Sequence, residues 1–253
     1  MSTPARFSLA QSPSTLLTAL VASDPGRPRI TVYDDTDSPT RGERIELSAR
    51  VLANWVAKAA NLLQEELDAA PGTVVRLDLP PHWRTLYWAF AIWSVGACVE
   101  VGTDAGAVAD AGAVPDVLVT DDAQAAAKTG AEHVVLVTLA GLARSATSPV
   151  PSGAVDEARD LATHGDVFDA WEEPGVGDGA RRSATGTTAY GALLPTGDAT
   201  AARVHTDTSD TAAFLDLALR VLAGDGSIVL TRGAPGTEAL ESRLASEGVT
   251  LRA

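Results

Sequence analysis

One cysteine, Cys98, stands in 253 residues, so no intramolecular disulfide can form. Its setting, Val95-Gly96-Ala97-Cys98-Val99, reads as that of a small buried hydrophobe rather than a nucleophile. The chain has no uninterrupted apolar run of the roughly 18 residues that a membrane span needs. Its first residues hold no apolar stretch followed by a small-residue cleavage pattern, so no leader is expected and a cytoplasmic location follows. Basic side chains are scarce, 19 Lys and Arg against 33 Asp and Glu, for a formal net charge of −14. That field repels phosphate backbones and anionic lipid, which excludes nucleic acid and membrane surfaces as partners. Arg181-Arg182 is the densest basic spot and reads as a solvated pair in a loop.

Catalytic and metal signatures are missing as well. The histidines, His82, His133, His164 and His205, show no i, i+4 pairing, so no zinc site is expected and no metal ligands are assigned. His82, beside Trp83 at a helix start, reads as a cap or packing residue. The acidic pairs Asp34-Asp35, Asp121-Asp122 and Glu172-Glu173 could hold Mg²⁺ in principle, but solvated turn pairs are far commoner. No Walker loop, G-x-G-x-x-G fingerprint or G-x-S-x-G elbow occurs, and the glycine-rich 102–112 segment lacks dinucleotide-binding spacing. No catalytic residue is assigned.

What is present is an alternation of strands and helices. Residues 16–22 form a short helix and 29–33 a strand. Leu47, Val51, Leu52, Trp55, Val56, Ala59, Leu62, Leu63 and Leu67 recur at helical spacing, with Arg50, Asn54, Lys58, Asn61 and Glu65 largely on the opposite face. Residues 73–79 are a strand, stopped by Pro80-Pro81. A helix over 82–95 carries Trp83, Tyr87, Trp88, Phe90 and Trp93, dense enough to be core or, where it exceeds the buried face, an interface. Strands follow at 97–101, 116–120 and 133–138, with short helices at 123–129 and 139–144. Residues 145–153 are a linker and 155–163 a helix. Residues 172–191, poor in large apolar groups, are a loop or mobile segment. Then come a short strand at 192–194, a helix at 211–222, a strand at 226–231, a helix at 235–246 and a strand at 249–252. The fold class is α/β, a doubly wound, mostly parallel sheet. One domain spans 1–253, with substructure 1–144 and 192–253 joined by a flexible region, 145–191.

Two stretches carry a family resemblance. Arg44-Ile45-Glu46-Leu47, the 73–80 strand and Ser94-Val95-Gly96-Ala97 resemble the strand and helix motifs that open the adenylate-forming (AMP-binding, acyl-CoA synthetase and luciferase-like) enzymes. Leu193-Leu194-Pro195 and the 222–230 segment, L-A-G-D-G-S-I-V-L, resemble a later part of the same N-terminal domain. More narrowly, the 47–63 helix and Leu79-Pro80-Pro81-His82-Trp83 are similar to a small actinobacterial family of shortened adenylation-domain-like proteins. The resemblance covers about two-thirds of the chain, and its motifs are structural.

Adenylation needs donors and cations placed in advance around the phosphates. The family supplies a T-S-G-T-T-G-x-P-K-G loop and a lysine on a mobile C-terminal domain. Here the nearest text is R-S-A-T-G-T-T-A-Y-G at 182–191, without the first glycine, the proline or the lysine. The resemblance implies that, if any nucleotide is held, it is ATP or AMP at Thr185, Gly186, Thr187 and Thr188. The residues themselves call for no cofactor. At about half of the family's extent the chain is expected not to adenylate. It is expected to act as a ligand- or partner-binding protein, its partners a small molecule, another protein or a second copy. The alternative is an enzyme that keeps nucleotide or acyl-adenylate through that degenerate loop.

Overall fold

Ser12 opens the first helix, α1 (Pro13–Ser23), through a reciprocal capping box with Thr15 and a proline in the first turn. The computed structural model describes residues 12–101, 114–183, 186–195 and 201–253. Strand β1 (Pro28–Asp35) pairs antiparallel with β2 (Arg44–Ser48), Val32 facing Ile45. Ser48 then caps α2 (Ala49–Glu65), accepting from the Val51 amide. The helix therefore starts two residues later than periodicity placed it, because Leu47 and Ser48 are held in the β1–β2 ladder.

Next come β3 (Val74–Asp78), α3 (Trp83–Ser94) and β4 (Cys98–Val101), the strand–helix–strand unit expected from sequence. Then follow β5 (Val117–Thr120), α4 (Ala123–Lys128), β6 (His133–Leu136), β7 (Val155–Asp156) and the single turn α5 (Glu157–Asp160), extended by a 3-10 turn to Thr163. Strands β8 (Gly179–Ser183) and β9 (Gly186–Ala189) form a hairpin, followed by the turn α6 (Tyr190–Leu193). The chain closes with β10 (Arg203–Thr206), α7 (Thr211–Ala223), β11 (Ser227–Gly233), α8 (Thr237–Ser246) and β12 (Leu251–Arg252).

The α/β class and the mostly parallel pairing hold, but the strands divide into two sheets. One runs β12-β10-β11-β1-β2 and the other β7-β6-β5-β3-β4-β8-β9. Among the described residues only β1–β2 and β8–β9 are antiparallel. The reason lies in α3, where every residue from Trp83 to Trp93 is buried. A helix apolar on all sides needs cover on all sides. α3 packs on β3 and β4 of one sheet, on β1 of the other, and on α1, α2 and α7 between them. The aromatic cluster is thus core, with no exposed stripe. At about 1.5–3 kcal/mol for each large apolar side chain buried, α3 is the main source of cohesion between the sheets.

Four local expectations are corrected. Residues 139–144 form no helix, because their backbone is engaged elsewhere: Ala140 O accepts from Arg84 at 2.9 Å and the Gly141 amide donates to Glu43 at 3.1 Å. The 155–163 helix starts only at Glu157, because Val155 and Asp156 form β7, which pairs with β6. The 172–191 segment, read as a loop, contains β8, β9 and the start of α6. β8 adds to the edge of β4, and Trp93 Nε1 donates to Ala180 O at 2.9 Å. Arg181 and Arg182 therefore lie in a strand rather than a loop, paired with Asp216 of α7 and, at 3.3 Å, with Glu100. Residues 192–194 form no strand. The turn α6 is pinned by the Tyr190 hydroxyl, which donates to a carbonyl of the α3–β4 corner (Ala97 O at 2.8 Å). β10, with no alternation strong enough to announce it, was not expected at all.

Candidate functional site

The polar face of α2 does not face solvent throughout. Lys58, Asn61 and Gln64 fall at i, i+3 and i+6, one line along the helix. Asn61 Nδ2 donates to Gly165 O at 3.1 Å and Val167 O at 2.9 Å. Gln64 Nε2 donates to Asp169 O at 3.2 Å, and its Oε1 accepts from the Trp171 amide at 2.9 Å. Lys58 pairs with Asp166 at 2.8 Å. Together they clamp the 164–171 strap along α2. Further on, Pro174 lies against Gly96, where an added Cβ would come within 3.2 Å of its Cδ. The Gly191 amide then donates to Val176 O at 2.9 Å. The strap is thus held at α2, at the α3–β4 corner and at α6.

Between this strap and α1, α2 and the end of α3 lies an open groove of about 810 Å³. Its walls are apolar, with Leu17, Val21, Val56, Trp93, Phe168 and Val176. Ser14, Thr15, Thr18, Asp169 and Glu173 complete it, and no Lys or Arg lines it among the described residues. The volume suits a binding cleft. Because Trp93 and Ser94 end the helix that returns to the start of β4, the groove opens at the amino ends of the parallel strands. Residues 168–176 and 190–191 do fold over a cleft, but at that end.

The carboxyl ends of the strands, where open α/β sheets bind ligands, carry a second polar group. Asp34, at the end of β1, meets Arg232 of β11 at 2.6 Å and accepts from Thr40 at 2.6 Å. Burial pushes its carboxyl up, but hydrogen bonds from Thr36 and Thr40 outweigh that and hold it below the usual range. His82 is the N-cap of α3, its Nδ1 accepting from the Arg84 amide at 3.4 Å. Burial, then the charges of Arg232 and Arg84, push its imidazole well below the ordinary histidine value, so it is neutral. Arg84 donates to Glu157 at 2.6 Å and lies over the Trp83 ring at 4.3 Å, while the Tyr87 hydroxyl donates to the same carboxylate. Burial raises the Glu157 carboxyl, against the pull of Arg84 and Tyr87. Asp121 is raised by burial and by nearby Asp78. Arg84 and Arg232, at this end, are each paired with a buried carboxylate.

Of the residues taken from the degenerate phosphate loop, Thr185 lies outside the described residues. Gly186, Thr187 and Thr188 form β9 at the edge of the larger sheet, opposite Ser183, Arg182 and Arg181. They lie neither in the groove nor in the His82 cluster. The glycine-rich 102–112 segment is likewise outside the described residues. Cys98 is buried, and burial raises its thiol, as expected of a packing residue. Sequence reasoning singled out His82 as a cap but missed Arg84 with Glu157, which are 73 positions apart. It also put Asn61 on the solvent face, where an amide two-thirds along an amphipathic helix would normally belong. No helix among the described residues is long and apolar enough to cross a membrane, and no cluster of metal-ligand type occurs among them.

Comparison with solved structures places the fold among the N-terminal domains of adenylate-forming enzymes. The N-terminal subdomain of Klebsiella oxytoca NpsA, solved in complex with 3-hydroxybenzoyl-AMSN, matches 100% of this chain with a TM-score of 0.64 at 15% identity. Acetoacetyl-CoA synthetase from Streptomyces lividans matches 95% with a TM-score of 0.74 at 19% identity. The chain spans 61% of the first of those chains and 42% of the second. No family model matches the chain. A Mycobacterium tuberculosis protein described as a TIGR03089 family protein is 35% identical over 262 aligned positions, covering 99% of each chain. That identity, sustained along the whole of both sequences, makes this protein a member of the TIGR03089 family.

Proposed function

We propose that this chain is a binding protein built on the adenylate-forming fold, that it does not activate carboxylates, and that the groove beneath the clamped strap is its binding surface. The observation that carries the proposal is the contrast between the two ends of the strands. At the carboxyl ends, Arg84 and Arg232 are each neutralised by a buried carboxylate, which leaves neither to meet a triphosphate. A phosphate cradle needs several backbone amides converging on one anion. Thr187 and Thr188 are extended in β9, and successive amides of a strand point to opposite sides. At the amino ends, by contrast, a groove of about 810 Å³ has walls fixed by hydrogen bonds from α2.

Calorimetry of the full chain with ATP, AMP and CoA, paired with a pyrophosphate-release assay over a set of carboxylic acids, tests the reading. Tight ATP binding followed by pyrophosphate release on adding a carboxylate would overturn it. One feature favours nucleotide retention at β9 as a second reading. Arg182 faces Thr187 across the hairpin and leaves 39% of its side chain exposed, which puts a cation beside a hydroxyl on one face. If Thr187→Ala and Thr188→Ala leave AMP and ATP affinity unchanged, that second reading fails.

A further inference from the structure

The outer side of the strap carries a feature that a buried-ligand site does not need. Val167, Trp171 and Val176 are 76%, 74% and 83% exposed. Val176 also lines the groove, so the groove and the exposed strap share an apolar residue. Trp171 sits on backbone that Gln64 holds through the Trp171 amide itself. An exposed tryptophan on immobilised backbone loses little entropy on contact, and tryptophan is the residue type most enriched at binding hot spots.

Charge around this surface has one sign. Asp169 and Glu173 lie in the groove, and Glu172 is exposed beside them. Glu65 and Glu66 flank the strap from the end of α2, reaching His164 at 3.8 and 3.2 Å. The cation closest in sequence along α2, Lys58, is paired with Asp166. A partner must therefore be apolar where it meets Trp171, Val176 and Phe168, and basic at its rim. It must also be long enough to lie in the groove and still cover the outer face of the strap.

We propose that the groove and strap dock an amphipathic helix of a protein partner, its apolar face against Trp171, Val176 and Phe168 and its basic flank against Glu173, Asp169 and Glu172. Such helix-in-groove recognition buries anchors at i, i+3, i+4 and i+7 spacing while oppositely charged rims fix orientation. The inference rests on the groove being this protein's binding surface.

The test uses the full chain and a fluorescent Leu/Lys amphipathic peptide of about 18 residues, long enough for five helical turns, at ~150 mM salt, where remote charges are screened. A Leu/Glu peptide of the same periodicity and a Lys/Ser peptide without an apolar face serve as controls. The expected result is saturable binding of the Leu/Lys peptide alone, weakened about tenfold or more by Trp171→Ala and by Glu173→Lys. Hydrogen-exchange protection should fall on the strap and α1. Equal binding of either control, no effect of both substitutions, or protection mapped elsewhere would overturn the proposal. An apolar dye titrated into the same samples separates the two levels. Dye protection of the groove without peptide binding refutes the helical partner and leaves the groove standing; no protection of the groove by dye or peptide refutes both.

Discussion

Replacing Asn61 by alanine removes two of the hydrogen bonds that fix the strap, those to Gly165 O and Val167 O. A typical intramolecular hydrogen bond contributes about 0.5–1.5 kcal/mol net, so opening the strap should become easier by about 1–3 kcal/mol. Strap amides in a locally opening segment should then exchange about 5- to 150-fold faster. The Trp171 amide is the reporter, because its acceptor, Gln64 Oε1, is untouched by the substitution. Global stability should move much less. Gly165 and Val167 are exposed, so their carbonyls can turn to water, and alanine's better helix propensity returns about 0.5 kcal/mol. Amides in α3 and β1 should keep their protection. Hydrogen exchange read by mass spectrometry, with Arg50→Ala on the same helix as control, makes the comparison. If the Trp171 amide exchanges at the wild-type rate, or the core accelerates as much as the strap, α2 does not hold the groove wall as a local unit and the reasoning fails.

Arg84→Met leaves Glu157 buried and unpaired, and should cost about 3–5 kcal/mol in urea unfolding; adding Glu157→Leu should recover most of it, and a single-variant cost under about 1 kcal/mol would contradict the pairing. His82 is held neutral, with its folded-state pKa below the unfolded value, so protonation favours the unfolded chain. Its contribution to stability is complete above about pH 6.5 and declines as pH falls below it, by at most about 1.4 kcal/mol per pH unit. His82→Asn, which keeps a capping side chain, should flatten the urea midpoint over that range, and an unchanged profile would refute the assignment. Gly233 has φ +84°, and a Cβ there would lie 2.6 Å from the Asp35 carbonyl carbon, whereas Gly42, at φ +87°, has nothing within 4 Å. Gly42→Ala should therefore cost about 1–2 kcal/mol for conformation alone and Gly233→Ala clearly more, with equal losses ruling out the close approach of β11 to the β1 turn.

Much of the fold was legible because it rests on local periodicity. The apolar recurrence along α2 and the density of aromatics in α3 mark helices wherever they lie, and Pro80-Pro81 can end β3 in any fold. What failed did so for non-local reasons. Residues 139–144 have helical composition, yet Arg84 and Glu43 claim their backbone, and the β6 edge takes Val155 and Asp156 so that the next helix starts only at Glu157. Residues 172–191 are poor in large apolar side chains and still form strands, since β4 offers an open edge and Trp93 a donor. Lys58 and Asn61 looked like solvated positions because nothing in α2 announces a strap about 105 residues further on.

By itself, then, the sequence determined the strand–helix alternation, the burial of Cys98 and α3, the acidic field, and the family-like segments at either end. The tertiary structure alone decided that the strands form two sheets around α3, that the carboxyl-end arginines are neutralised, and that a groove forms beneath the strap. The physical reason is the range of the interactions. Hydrophobic periodicity acts within a few turns of chain, while ion pairs such as Arg84–Glu157 and the clamps from α2 exist only between segments far apart in sequence.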